Sequence, residues 1–126
     1  MQAITTKSAP AAIGPYSQAV KAGGFVFTSG QIPLDPRSGE MVRADIGTET
    51  ERVLENLEAV LKEAGCTFAD VVRSTIYLVE LADFATVNEH YGKRFSGVLP
   101  ARSTVQVAGL PKGARVEIDC VAYVGT

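Results

Sequence analysis

Tryptophan is absent from this sequence, cysteine and methionine occur twice each, and histidine occurs once. A lone histidine, His90, excludes chemistry that needs a paired-His acid–base site. The two cysteines, Cys66 and Cys120, match no metal-ligand spacing, and they read as small, packed, reduced thiols rather than as a disulfide. Long apolar runs are missing as well, and none approaches the ~20 residues needed to cross a bilayer. The N-terminal stretch MQAITTKSAPAAIGPY has no basic segment followed by an apolar run, so the expected location is the cytoplasm. Excess charge of either sign is also lacking: 12 basic against 14 acidic side chains leave a net charge of −2. That balance gives no broad electrostatic footprint for nucleic acid or an anionic membrane.

What is present is ordinary globular composition, 46% apolar and 21% charged over 126 residues. This suits one domain spanning residues 1–126, large enough to bury a core without metals or disulfides. Early strands are expected at about Tyr16–Lys21 and Phe25–Gln31, separated by the turn-prone Ala22-Gly23-Gly24. The spacing of Val53, Leu54, Leu57, Val60, Leu61 and Ala64 predicts a helix from about Thr48 to Ala64. Thr48 with Glu51 resembles a capping box, and Gly65 supplies the stop. The β-branched run Val71–Val79 predicts a strand, and Phe84, Val87, Tyr91 and Phe95 predict a second helix over Asp83–Phe95. Gly92 weakens the end of that helix. Strands at about Arg102–Val107 and Val116–Val124 close the chain, with a short extra strand near the N-terminus or at Glu40–Val42.

The order β-β-α-β-α-β-β implies an α+β fold, a mixed sheet with its helices gathered on one face. Alternation in the last strand sets Val116, Ile118, Cys120, Ala122 and Val124 on one side. Arg115, Glu117, Asp119, Val121 and Tyr123 take the other. A second face that is polar at one end and apolar at the other points to burial against further copies, hence a homo-oligomer.

The stretch PARSTVQV places Arg102 at the mouth of a strand, sharing a face with Thr104 and Gln106. An unpaired guanidinium is costly there, so it has something to hold. If the last two strands form a simple hairpin, Gln106 faces Glu117 and Arg102 lies on the order of 13 Å further along, too far for an ion pair within one chain. Two readings of Arg102 stay open: a rim or interface ion pair, or a fork for a substrate carboxylate. Glu117 divides similarly between a solvated carboxylate and a water-positioning base. His90, two positions past Asn88, points off the face of Asn88 and reads as a solvated helix residue.

GPYSQAV, FVFTSGQIP, FATVNEHY and, above all, LPARSTVQVAGLPKGARVEI resemble the motifs of the RidA (YjgF) family across Ala11–Ile118. The resemblance implies a chorismate-mutase-like α+β fold, assembly as a homotrimer, and ligand clefts between subunits. It also implies cofactor-free, metal-free hydrolysis of 2-aminoacrylate and 2-iminobutanoate to 2-keto acids and ammonia. Carried onto these positions, Arg102 holds the substrate carboxylate and Glu117 positions the water. Tyr16 and Ser29 join Glu117 as catalytic candidates, while Gly30, Asn88 and Thr104 contact the substrate. On the residues alone, Tyr16 would be an ordinary strand aromatic, Ser29-Gly30 a bulge and Asn88 a surface amide. One departure stands out: many family members carry Cys where this chain has Thr104, so no thiol can act there. The family also includes reported endoribonucleases and translation inhibitors, which the acidic balance and the lack of stacking aromatics oppose. A non-catalytic regulatory trimer that binds small carboxylates is the remaining alternative.

Overall fold

The computed structural model describes residues 1–125 of the chain. Its strands and α-helices follow in the order β1 (Gln2–Ile4), β2 (Ala19–Ala22), β3 (Phe25–Thr28), α1 (Ile46–Glu63), β4 (Val71–Leu78), α2 (Phe84–Gly92), β5 (Ala101–Gln106) and β6 (Val116–Tyr123). The six strands form one sheet in the order β1-β2-β3-β6-β4-β5. Every pairing is antiparallel except β4–β5, which is parallel because α2 carries the chain back across the sheet between them.

The core lies between one sheet face and the two helices. Val116, Ile118, Cys120 and Ala122 of β6 are buried there, as are Ile76 and Leu78 of β4 and Val53, Leu54, Leu57, Val60 and Leu61 of α1. Helical spacing and strand alternation thus meet on one apolar layer, as the sequence pattern requires. Among the described residues, no helix covers the opposite face. That face presents Phe25, Phe27 and Tyr123 at one end, with the Phe25 ring tilted against the other two, and Tyr77, Glu117 and Asp119 at the other.

Several expected boundaries move. The first expected strand shrinks to Ala19–Ala22, and Tyr16 sits in the preceding loop, where its amide donates to the Gly14 carbonyl at 2.9 Å. Helix α1 starts at Ile46 rather than Thr48, because the Asp45 carboxylate accepts from the Thr48 amide at 2.9 Å and is the cap. Glu51 takes no part in capping; it binds His90 and Arg94. The helix ends as expected at Gly65, with φ +82° and a Cys66 N–H bond to the Leu61 carbonyl of 2.8 Å. Helix α2 stops at Gly92, three residues short of Phe95. The extra strand is β1, and Met41 makes only an isolated bridge to Leu34.

The hairpin register for the last two strands does not occur, since β4 lies between β5 and β6. Gln106 is opposite Leu78, and Glu117 is opposite Tyr77. The Leu110–Ala114 connection spans a neighbouring strand, and Arg115 anchors its far end through a two-pronged contact to the buried Glu49 carboxylate.

Asn56 holds a second junction. Fully buried on α1, it donates to the carbonyls of Ile32 and Leu34 at 3.2 and 3.0 Å and accepts from Arg52. Replacing it leaves two buried carbonyls and one guanidinium without partners. Asn56→Leu is therefore expected to lower unfolding free energy by about 3 kcal/mol, measured by urea denaturation. A change under ~0.5 kcal/mol would show that water or a shifted loop replaces the amide.

Candidate functional site

Parallel pairing with β4 decides where Arg102 points. Its Cα partner is Ser74, and Thr104 and Gln106 pair with Ile76 and Leu78. Those three β4 residues are buried beneath the helices, so Arg102 lies on the helix-covered side, at the open edge of the sheet. Its Nη1 donates to the Asn88 Oδ1 at 2.7 Å. The guanidinium carbon sits 5.5 Å from the centre of the Phe84 ring and 5.1 Å from that of Tyr91. With Asn88, Tyr91, Gly92, Phe95, Leu99 and Pro100, Arg102 lines an open cavity of about 450 Å³.

Glu117 occupies the other side. It pairs with Tyr77 on the helix-free face, two residues from Asp119, whose carboxylate accepts from the Tyr77 hydroxyl at 3.0 Å. A bulge shapes the ground beneath it. Between the pairings Phe27–Val121 and Gln31–Ile118, the β3 side has one residue more than β6, and Gly30 falls in that excess. A Cβ on Gly30 would lie 2.7 Å from the Glu117 carboxyl carbon, so only glycine lets the carboxyl pack down onto the backbone here. Tyr16, Gly30, Gln31 and Pro111 line the small cleft beside Glu117. Burial, and then the Asp119 charge, raises the Glu117 carboxyl above its usual value; burial does the same to Asp119.

The candidate residues thus separate into two groups. Arg102 and Asn88 are in contact, with Thr104 on their side of the sheet; Tyr16, Gly30 and Glu117 gather on the other. The sheet itself stands between Arg102 and Glu117. Ser29 sits at the second group but donates its hydroxyl to the Ser17 carbonyl. The Tyr16 hydroxyl accepts from the Ile13 amide at 3.1 Å while the ring stays about half exposed. Thr104 Oγ1 is buried without a hydrogen-bond partner.

His90 is not the solvated residue expected from its helix position. Its Nδ1 lies 2.7 Å from Glu51 Oε2, in an ion-pair cluster with Arg94 that ties α2 to α1. The thiols are packed as expected: burial pushes Cys120 up to about 12 and raises Cys66, which suppresses thiolate at both. Among the described residues, no three His, Cys, Asp or Glu side chains gather as a metal site.

Sequence reasoning missed four contributors. Phe84 and Tyr91 read as core stripe, yet they also flank Arg102. Asp119 was legible as sharing a strand face with Glu117, whereas the approach of Tyr77 depends on which strand lies next to β6, which no local pattern specifies.

Comparison with known proteins adds identity to this geometry. The family model described as Endoribonuclease L-PSP matches residues 6–124. Protein DfrA of Myxococcus xanthus is 58% identical over 123 residues, covering 96% of this chain and 94% of the relative. The 2-iminobutanoate/2-iminopropanoate deaminase of Mus musculus is 51% identical over 122 residues, covering 97% and 90%. Among solved structures, E. coli TdcF with bound serine superposes with a TM-score of 0.93 at 44% identity, covering 98% of each chain. Agreement of this extent, in sequence and in fold, places the chain in the RidA (YjgF) family.

Proposed function

We propose that this protein is a cofactor-independent 2-iminobutanoate/2-iminopropanoate deaminase. It hydrolyses reactive enamine and imine intermediates, 2-aminoacrylate and 2-iminobutanoate, to 2-keto acids and ammonia. The observation that carries this reading is the division of the site: a preset guanidinium on one face of the sheet and a raised-pKa carboxyl on the other. A second copy seated on the helix-free face brings one chain's Glu117 to the next chain's Arg102. A closed ring of such contacts is the homotrimer of this proposal, and the exposed Phe25, Phe27 and Tyr123 supply its apolar area.

Chemistry in that cleft needs neither metal nor cofactor. The Arg102 fork holds the substrate carboxylate and fixes the C=N carbon. Glu117 takes a proton from water as the oxygen attacks the carbon of the protonated imine, giving a neutral carbinolamine. The same proton then passes to the nitrogen; the freed Glu117 carboxylate takes the carbinolamine hydroxyl proton as the C=O forms and the C–N bond breaks, and it hands that proton to the departing ammonia, so keto acid and ammonium leave. An enamine enters the sequence after protonation at its terminal carbon. Tyr16 and Ser29 border the water, Gly30 gives the carboxylate its seat, and Asn88 and Thr104 act on the Arg102 side. The relative from mouse bears this activity in its name, as does one from rat at 50% identity. A cytoplasmic setting belongs to the proposal; the Arabidopsis relative is named as chloroplastic.

A dehydratase that releases the imine in the presence of semicarbazide tests the activity directly. Wild-type protein is expected to divert imine from semicarbazone into keto acid, and Arg102→Ala to lose roughly 10²–10³-fold of that rate. Unchanged trapping with wild-type protein would move the cleft to the carboxylate-binding, regulatory reading.

Mixing decides whether the site is shared. Arg102→Ala and Glu117→Gln subunits, each inactive alone, are unfolded and refolded together in equal amounts. Clefts between subunits recover to about a quarter of wild-type activity, because one random pair in four carries both intact residues. No recovery would refute the shared cleft.

The pH profile follows from the Glu117 shift. As the base, Glu117 must be ionised, so activity falls as pH drops through its raised pKa. Asp119→Asn removes the like charge and is expected to move that acid limb to lower pH. An unmoved limb would assign it to another group.

Thr104 offers a separate check. Thr104→Val removes an unpaired buried hydroxyl, so thermal unfolding should show a gain of about 1 kcal/mol. If the hydroxyl serves substrate, kcat/KM falls severalfold in the same variant; unchanged kcat/KM would remove Thr104 from the site.

A further inference from the structure

Arginine is a poor clamp unless its plane is fixed, because a free guanidinium on a long stem spreads over many rotamers. Arg102 begins with little help from its strand, since β5 is the edge of the sheet. The restraint comes from α2. Phe84, Asn88 and Tyr91 fall at i, i+4 and i+7, one stripe of that helix, and all three meet Arg102. The guanidinium carbon lies over both rings and the amide takes Nη1, which leaves the rest of the fork for a ligand in the cavity it lines.

Tyr91 is itself restrained. Its hydroxyl donates to Ser74 Oγ at 2.9 Å, and both residues are buried. Ser74 is also the residue opposite Arg102 in the β4–β5 ladder. The chain of contacts therefore closes on itself: Arg102 to the Tyr91 ring, Tyr91 to Ser74, and Ser74 back to Arg102 through the sheet. Burial raises the Tyr91 phenol, so it stays a neutral donor throughout the working pH range.

We infer that Tyr91, locked by Ser74 and aided by Phe84, is a positioning residue that sets the plane of the Arg102 fork and thereby the preference of the cleft for a planar carboxylate. This rests on the proposed carboxylate role of Arg102. The hydroxyl of Tyr91 touches no substrate; it acts through Arg102.

The test uses a stable ligand, so that it does not depend on turnover. Binding of 2-oxobutanoate and of its uncharged amide, 2-oxobutanamide, is measured by calorimetry for wild type, Tyr91→Phe, Ser74→Ala and the double variant. Wild type is expected to prefer the carboxylate. Each single variant is expected to weaken carboxylate binding about tenfold while leaving the amide unchanged. The double variant should be no worse than either single one, because both remove the same bond. Ser74→Thr, which keeps the hydroxyl, restores the preference. In turnover the loss appears in KM, with kcat within about twofold, since the Glu117 step is untouched.

Wild-type protein that shows no preference for carboxylate over amide overturns the role of Arg102 and this inference with it. A wild-type preference that survives intact in folded Tyr91→Phe overturns the inference alone. Equal weakening for both ligands would mark the Tyr91–Ser74 bond as general scaffolding, and overturns it too.

Discussion

Strand alternation sends Val116, Ile118, Cys120 and Ala122 of β6 under α1 and leaves Glu117, Asp119, Val121 and Tyr123 on a face with no helix. Two helices cannot cover both sides of a six-stranded sheet, and both go to one side. The uncovered side keeps aromatic rings at one end and ionisable groups at the other, which suits burial against another protein surface better than contact with water. Because the same alternation separates Arg102 from Glu117, the proposed shared cleft makes covering the face and joining the two groups a single event. In the proposed ring, the contact that buries the apolar end also delivers the missing half of each cleft.

The covered side is built around α1. Its apolar stripe packs the core, while polar residues on its flanks clip the surrounding segments in place. Glu49 receives Arg115 at the entry to β6, Glu51 receives His90 of α2 and Arg94 just beyond it, and Asn56 holds the Ile32–Leu34 segment. Each clip therefore reaches an element next to one of the two site groups: β6 and Glu117, α2 and Asn88, the loop after Gly30. Single exposed ion pairs contribute little, but Glu49 and Asn56 are buried, where a lost partner is costly.

Glu117 runs against folding preference in a characteristic way. A carboxyl raised by burial beside Asp119 resists ionisation, so the folded state is penalised as pH rises through its pKa, and the penalty is absent below the unfolded value. The bulge at Gly30 and the absence of a side chain there are what let the group sit so close to the backbone. Local disfavour of this kind persists only where the surrounding fold fixes the position, and it gathers at functional sites.

Patterns within single segments determined a great deal: both helices, five of the six strands to within a few residues, the buried face of β6 and the Gly65 stop were legible because they depend on periodicity and local backbone chemistry. Even the N-cap error, Thr48 for Asp45, stayed within one turn. The motifs around Tyr16, Ser29, Asn88, Arg102 and Glu117 were likewise enough to mark the family. Strand order was not legible, because hydrogen bonding between strands is the same backbone chemistry whatever the sequence. Only the fold placed β4 between β5 and β6, turned Arg102 and Glu117 to opposite faces, and set Tyr77 beside Asp119. The pairing of His90 with Glu51 and of Tyr91 with Ser74 belongs to the same class, since those partners meet only when distant segments pack together.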